Sequence, residues 1–224
     1  MAHINTPRLE CLDTTLFNDI VFDTPQLTQF ISRTPIMEAI EEAHVTFQGN
    51  NATVRLSSTG KSEELKVKIL CSGLEWQLSS MEQVCTSCLP PLPTLGLLID
   101  GNPHYRQHRQ GDVENALWLR LLHPFTSVKN LFLSEEIARR IFPVLQELVG
   151  VRATEVLPAL EYIFLEKGQR SGPVQEGIQQ FVTVRQATNH PIVVSYRQNP
   201  SFYVPVEVGS IATDISAQSC EYYC

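Results

Sequence analysis

The chain has 224 residues, with 17 Lys and Arg against 24 Asp and Glu, a formal net charge of -7, and 43% hydrophobic and 18% charged residues. That length suits one domain able to bury most of its apolar surface, and the acidic balance, without a basic stripe to release counterions, argues against a general nucleic-acid binder. No apolar run approaches the roughly 20 residues of a membrane span, and Met1 to Pro7 lacks the basic start and apolar core of a secretory signal, so an intracellular place, cytoplasmic or nuclear, is expected.

From the N-terminus onward a short pattern recurs: proline, any residue, an aliphatic, two spacers and another apolar residue. It begins at Pro7, Pro25, Pro35, Pro93 and Pro158, as in Pro158-Ala159-Leu160-Glu161-Tyr162-Ile163. Val128-Lys129-Asn130-Leu131-Phe132-Leu133 and Leu160-Glu161-Tyr162-Ile163-Phe164-Leu165 both read aliphatic-x-x-aliphatic-x-Leu, the core of a leucine-rich repeat. The later apolar positions of such a unit lie in a short strand, alternate side chains share a face, and one unit cannot bury that face alone.

Residues 43 to 71 depart from the pattern. Ala43 to Phe47, Ala52 to Leu56 and Leu65 to Leu70 alternate with period two, which predicts three strands joined by turn chemistry at Asn50-Asn51 and from Ser57 to Ser62. Ser57 to Ser62 ends like a phosphate-binding loop, but Arg55 stands where that motif needs glycine and a strand follows where it needs a helix. Asn51-Ala52-Thr53 matches a glycosylation acceptor and reads as an unmodified turn in a chain without a secretory signal. A helix is predicted from Leu78 to Cys88, stopped by Pro90, Pro91 and Pro93, and a second from Asp112, with Val113, Leu117, Leu121 and Leu122 on one face.

Ser134-Glu135-Glu136 is an N-cap followed by two acids that complement a helix dipole. Ile137, Ile141, Leu145, Leu148 and Val149 continue at helical spacing, with a kink or a second helix expected at Pro143. The charges at 135, 136, 139 and 140 are expected to form a solvated face. From Val128 to the next strand at Leu160 is 32 positions, longer than an ordinary repeat of roughly 20 to 29 residues. A helix opens at Pro173, and His190 to Val194 reads as extended. Residues 1–198 are taken as one domain and 199–224 as a divergent tail.

These runs resemble a group of fungal F-box and leucine-rich-repeat-type proteins. The resemblance rests on Asp112 to Leu119, Leu122 to Glu136, Leu74 to Ser80, Leu145 to Gly150 and Ser171 to Glu176, and covers roughly residues 3 to 196. It implies an α/β fold, an irregular leucine-rich-repeat-like solenoid of short strands alternating with helices. It implies also the substrate-recognition part, or a fragment, of an F-box ubiquitin-ligase adaptor. A Skp-type adaptor is then a partner only if an F-box lies upstream, because a repeat-like motif already begins by Pro7. Such motifs specify an architecture and carry no catalytic residues.

No nucleophile, base and oxyanion donor resolve from the sequence, so no enzyme and no cofactor are expected. Cys85-x2-Cys88 followed by His104-x3-His108 formally satisfies a two-Cys two-His zinc spacing. A small zinc-binding protein is therefore the alternative. The favoured reading is a helix-end thiol pair with loop histidines and no metal, since prolines crowd both halves of the motif. Six cysteines spread over the chain fit reduced thiols better than a disulfide framework. Trp76, Trp118, Phe125 and Phe132 read as core filling. An exposed concave strand face would carry Lys129, Asn130 and Phe132 from one unit and Glu161, Tyr162 and Phe164 from the next, and would bind an unknown protein.

Overall fold

Alternate apolar residues recur in strand after strand. Ala43, Val45 and Phe47, then Ala52, Val54 and Leu56, then Leu65, Val67 and Ile69 are all buried, as are Leu97 and Ile99, Leu131 and Leu133, and Ile163 and Leu165. In a strand such alternation places every one of these side chains on a single face of the sheet. The structure is a computed structural model that describes residues 11–17, 40–57, 64–88, 96–101, 111–148, 153–166 and 173–197.

The strands are β1 (Cys11–Phe17), β2 (Glu42–Gln48), β3 (Asn51–Ser57), β4 (Glu64–Leu70), β5 (Gly96–Gly101), β6 (Asn130–Leu133), β7 (Tyr162–Glu166) and β8 (Val193–Arg197). They form one open sheet in the order β1-β4-β3-β2-β5-β6-β7-β8. Strands β2, β3 and β4 make an antiparallel meander, β1 lies parallel to β4, and β5 joins β2 in parallel. From β5 to β8 the strands stack in chain order, all parallel. Leu97, Leu131, Ile163 and Val194 stand side by side there, 34, 32 and 31 positions apart along the chain.

Among the described residues four α-helices cover the apolar face: α1 (Leu74–Gln83), α2 (Asp112–Leu122), α3 (Glu135–Gln146) and α4 (Pro173–Ala187). Their buried residues, among them Leu78, Met81, Trp118, Leu121, Ile137, Ile141, Phe142, Ile178 and Phe181, belong to one cluster with the strand residues above. Trp118 meets the Phe47 ring edge-on at 5.3 Å. The chain is therefore α/β, an open sheet with the helices of the described residues on one side.

The meander expected over residues 43 to 71 and the helices expected at Asp112, Ser134 and Pro173 are present. Other expectations are corrected. The first helix starts at Leu74, four residues before Leu78, because Gly73 at φ 93° turns the chain out of the preceding strand. Its last turn widens into a π-helix over Val84–Cys88. That early start rotates Trp76 outward, and it is 64% exposed where core filling was expected. Val113 is likewise exposed, and Glu114 is buried in its place. The Glu114 carboxylate accepts hydrogen bonds from Arg140 at 2.8 Å and from the Trp118 indole at 3.3 Å, which offsets its desolvation. Arg140 is thus a tie between α2 and α3 and no part of a solvated face.

No second helix starts at Pro143. Helix α3 runs through it, and since Pro143 lies on the solvent side, the carbonyl its missing N–H would have engaged can be hydrated. Asn51, read as a turn, is the buried first residue of β3, bonded to Gln48 and Asn50. The proline motifs at Pro7, Pro25, Pro35 and Pro93 begin outside the described residues, as does the tail after 198.

Candidate binding surface

Because the helices occupy one face, the intervening strand positions point to the other. In register across β5, β6 and β7 this face carries Leu98, Phe132 and Phe164, and one step toward the strand starts it carries Asn130, Tyr162 and, on β8, Val193. Phe132 and Phe164 stack with ring centroids 4.6 Å apart and planes 15° from parallel. Tyr162 continues the array, 6.1 Å from Phe164. Such offset ring contacts add about 0.5–1.5 kcal/mol beyond the area they bury.

Of the six residues expected on this surface, Asn130, Phe132, Tyr162 and Phe164 share the face, although not with one exposure, and Lys129 and Glu161 fall outside its alternation. Phe132 is buried at 8%, Phe164 is half-buried, and Tyr162 is exposed. Lys129 and Glu161 lie just before their strands, where they form an ion pair at 3.1 Å and the Lys129 carbonyl accepts the N–H groups of Glu161 and Tyr162. Both side chains are about half exposed, so the pair fixes the entry of the two strands more than it stabilises them.

At the other end of the same strands lies a polar cleft of about 490 Å³, lined by Thr46, Asp100, Ser134, Glu135, Glu136 and Glu166, with Gln48 and Gly101. Each β-α unit contributes the residue that follows its last apolar strand position. Asp100 follows Ile99, Ser134 follows Leu133, and Glu166 follows Leu165. One Asp100 oxygen accepts the Gly101 N–H at 2.6 Å. Arg139, one turn along α3, bonds both Glu135 and Glu136. Ser134 occupies the N-cap of α3 with extended backbone, but its side chain makes no capping bond, and its Oγ is buried without a hydrogen-bond partner. Gly101 closes the floor: a Cβ there would stand 2.6 Å from the Phe47 carbonyl oxygen.

The sequence reading passed over this cleft because Glu135 and Glu136 were read only as a helix start and a charged face, and Asp100 and Glu166 were not joined to them. The signal was present in the repeated order aliphatic-x-aliphatic-polar at 97–100, 131–134 and 163–166. Arg185 was also passed over. It is fully buried on α4 and donates to the carbonyls of Ala153, Pro158 and Leu160, around Leu157 at φ 51°.

Of the alternative zinc ligands, Cys85 is buried and Cys88 ends the π turn, while His104 and His108 lie outside the described residues. Among the described residues no group of three or more His, Cys, Asp or Glu is placed to hold a metal ion. Nor is any described helix long and apolar enough to cross a membrane. No known family model, curated protein or solved structure matches the chain.

Proposed function

We propose that this chain is a protein-binding domain, an irregular leucine-rich-repeat-like solenoid that holds its partner on the sheet face turned away from the helices. The observation that carries the reading is the in-register stack of β5 to β8, which presents equivalent positions of successive units side by side, with Phe132, Phe164 and Tyr162 forming one aromatic array on the open face. A surface assembled from repeated strand positions suits an extended partner better than a small molecule. The role is recognition without catalysis.

By its resemblance to F-box proteins, the domain serves as the substrate-recognition part of a ubiquitin-ligase adaptor, and it meets a Skp-type adaptor only through an F-box encoded upstream. Two measurements test these layers. Peptides selected from a random display library on the purified chain are expected to lose binding to a Phe164→Ser variant whose circular dichroism is unchanged. Equal binding to the variant would remove the open face from consideration. Sequencing the transcript upstream of the Met1 codon tests the ligase layer, which an in-frame stop close upstream would end.

A further inference from the structure

The cleft at the ends of β5, β6 and β7 is a strongly one-signed site beside the aromatic array. Among the described residues lining it four are acids and none is basic. Arg139 pairs with two of these acids, but its one guanidinium is shared between Glu135 and Glu136. Among the described residues neither Asp100 nor Glu166 has an ion-pair partner. The positive end of α3 offers only about half a unit charge, too little to turn the cleft toward anions.

The buried Ser134 Oγ gives the site a specific acceptor. A serine at a helix N-cap ordinarily bonds a free N–H of the first turn, and this one does not, although it is only 5% exposed. A buried hydroxyl without a partner is costly unless something brings a donor to it. Ser134 lies between Asp100 and Glu166 in strand order, since Leu133 is paired with both Ile99 and Leu165. A donor-rich cation there would meet carboxylates on both sides and the hydroxyl between them.

We propose that this cleft receives an arginine or lysine side chain of the protein docked on the open face. The inference rests on the binding-surface reading and names the partner's chemistry. Ser134 and Glu166 stand two strand positions beyond Phe132 and Phe164, about 7 Å along the sheet. One extended partner segment can therefore set an apolar side chain on the aromatic pair and a basic side chain in the cleft. A guanidinium suits the site especially, with five donors in a rigid fork for acceptors on either side. A bare divalent ion suits it less, because the acids are not gathered three at a time among the described residues.

The test is nuclear magnetic resonance on the isotope-labelled chain, titrated separately with Nα-acetyl-arginine amide, Nα-acetyl-lysine amide, the uncharged Nα-acetyl-norleucine amide and calcium chloride. The arginine and lysine probes should shift the backbone amides of Gly101, Ser134 and Glu135 saturably, and norleucine should not. Asp100→Asn, Glu166→Gln and Ser134→Ala should each weaken the arginine response by about fivefold, the size of one lost hydrogen bond. An absent response, one matched by norleucine, one unaltered in all three variants, or a calcium response at lower concentration on the same amides would overturn the proposal. The probes carry no apolar anchor, so their failure would leave the aromatic surface standing, and failure of the peptide selection would leave the cation response measurable.

Discussion

Phe132 and Phe164 hold the same register position on neighbouring parallel strands, 32 residues apart in sequence, and stack on the face the helices leave open. Their immediate neighbours Leu131 and Ile163, paired in the same ladder, point the other way into the core.

That contrast predicts different mutant phenotypes from adjacent positions. Leu131→Ala should destabilise the fold by about 3 kcal/mol, as large-to-small core changes do. Phe164→Ser, at a half-buried position, should cost about 1 kcal/mol and leave a folded protein that has lost peptide binding. Urea unfolding beside binding separates the two. If Phe164→Ser unfolds at room temperature, the ring is core and the surface reading falls.

Ser134→Ala should behave opposite to an ordinary N-cap substitution, which costs about 1 kcal/mol. Here no capping bond is lost and a buried unpartnered hydroxyl is removed, so stability should rise by up to about 1 kcal/mol. A loss in urea unfolding would show that the hydroxyl is engaged in solution.

Removing the Arg185 guanidinium strips donors from three carbonyls of the 153–160 loop, two of those contacts buried. Burial also lowers the Arg185 pKa. Arg185→Met should cost about 3 kcal/mol, since the acceptors stay buried without partners, and the loop around Leu157 should lose amide-exchange protection first. A Met variant as stable as the parent would mean that hydration replaces the guanidinium.

The Glu42 carboxyl is pushed above its ordinary value of 4.5, first by burial and then by the charge of Glu41. The native state therefore holds this proton where the unfolded chain has released it, so the Glu42 contribution to stability falls as pH rises from about 4.5 through the raised folded value. Glu42→Gln should melt higher than the parent near pH 7 and match it at about pH 4. A melting difference independent of pH would discount the shift.

Gly101→Ala should be poorly tolerated, because its Cβ would lie 2.6 Å from a backbone oxygen and 3.3 Å from Ile137 Cδ1. Overpacking of this kind costs about 1–3 kcal/mol, readable as a lower melting temperature.

What was legible in the sequence was local. Period-two runs marked β2, β3 and β4, and the Ser134-Glu135-Glu136 start marked α3, because those signals reside within a few residues. The tie from Arg140 to Glu114 spans 26 residues, and nothing in either helix alone announces it. Trp76 was misplaced because the helix start was read from apolar spacing, whereas Gly73 decides where the helix begins. That Asn130, Phe132, Tyr162 and Phe164 share one face was legible because two units repeat the same spacing. Their unequal exposure was not, since burial depends on packing beyond the strand.

The chain-order stack from β5 to β8 has a consequence for inheritance. A duplication copying one strand-helix unit would place the new strand's end where the next strand already expects a neighbour, at a width of about 4.8 Å per added strand. Deleting a unit would close the gap in the same way. The β2–β4 meander has no such freedom, because its antiparallel strands do not repeat the unit, so such copying should lengthen the fold on the β8 side and leave the meander constant.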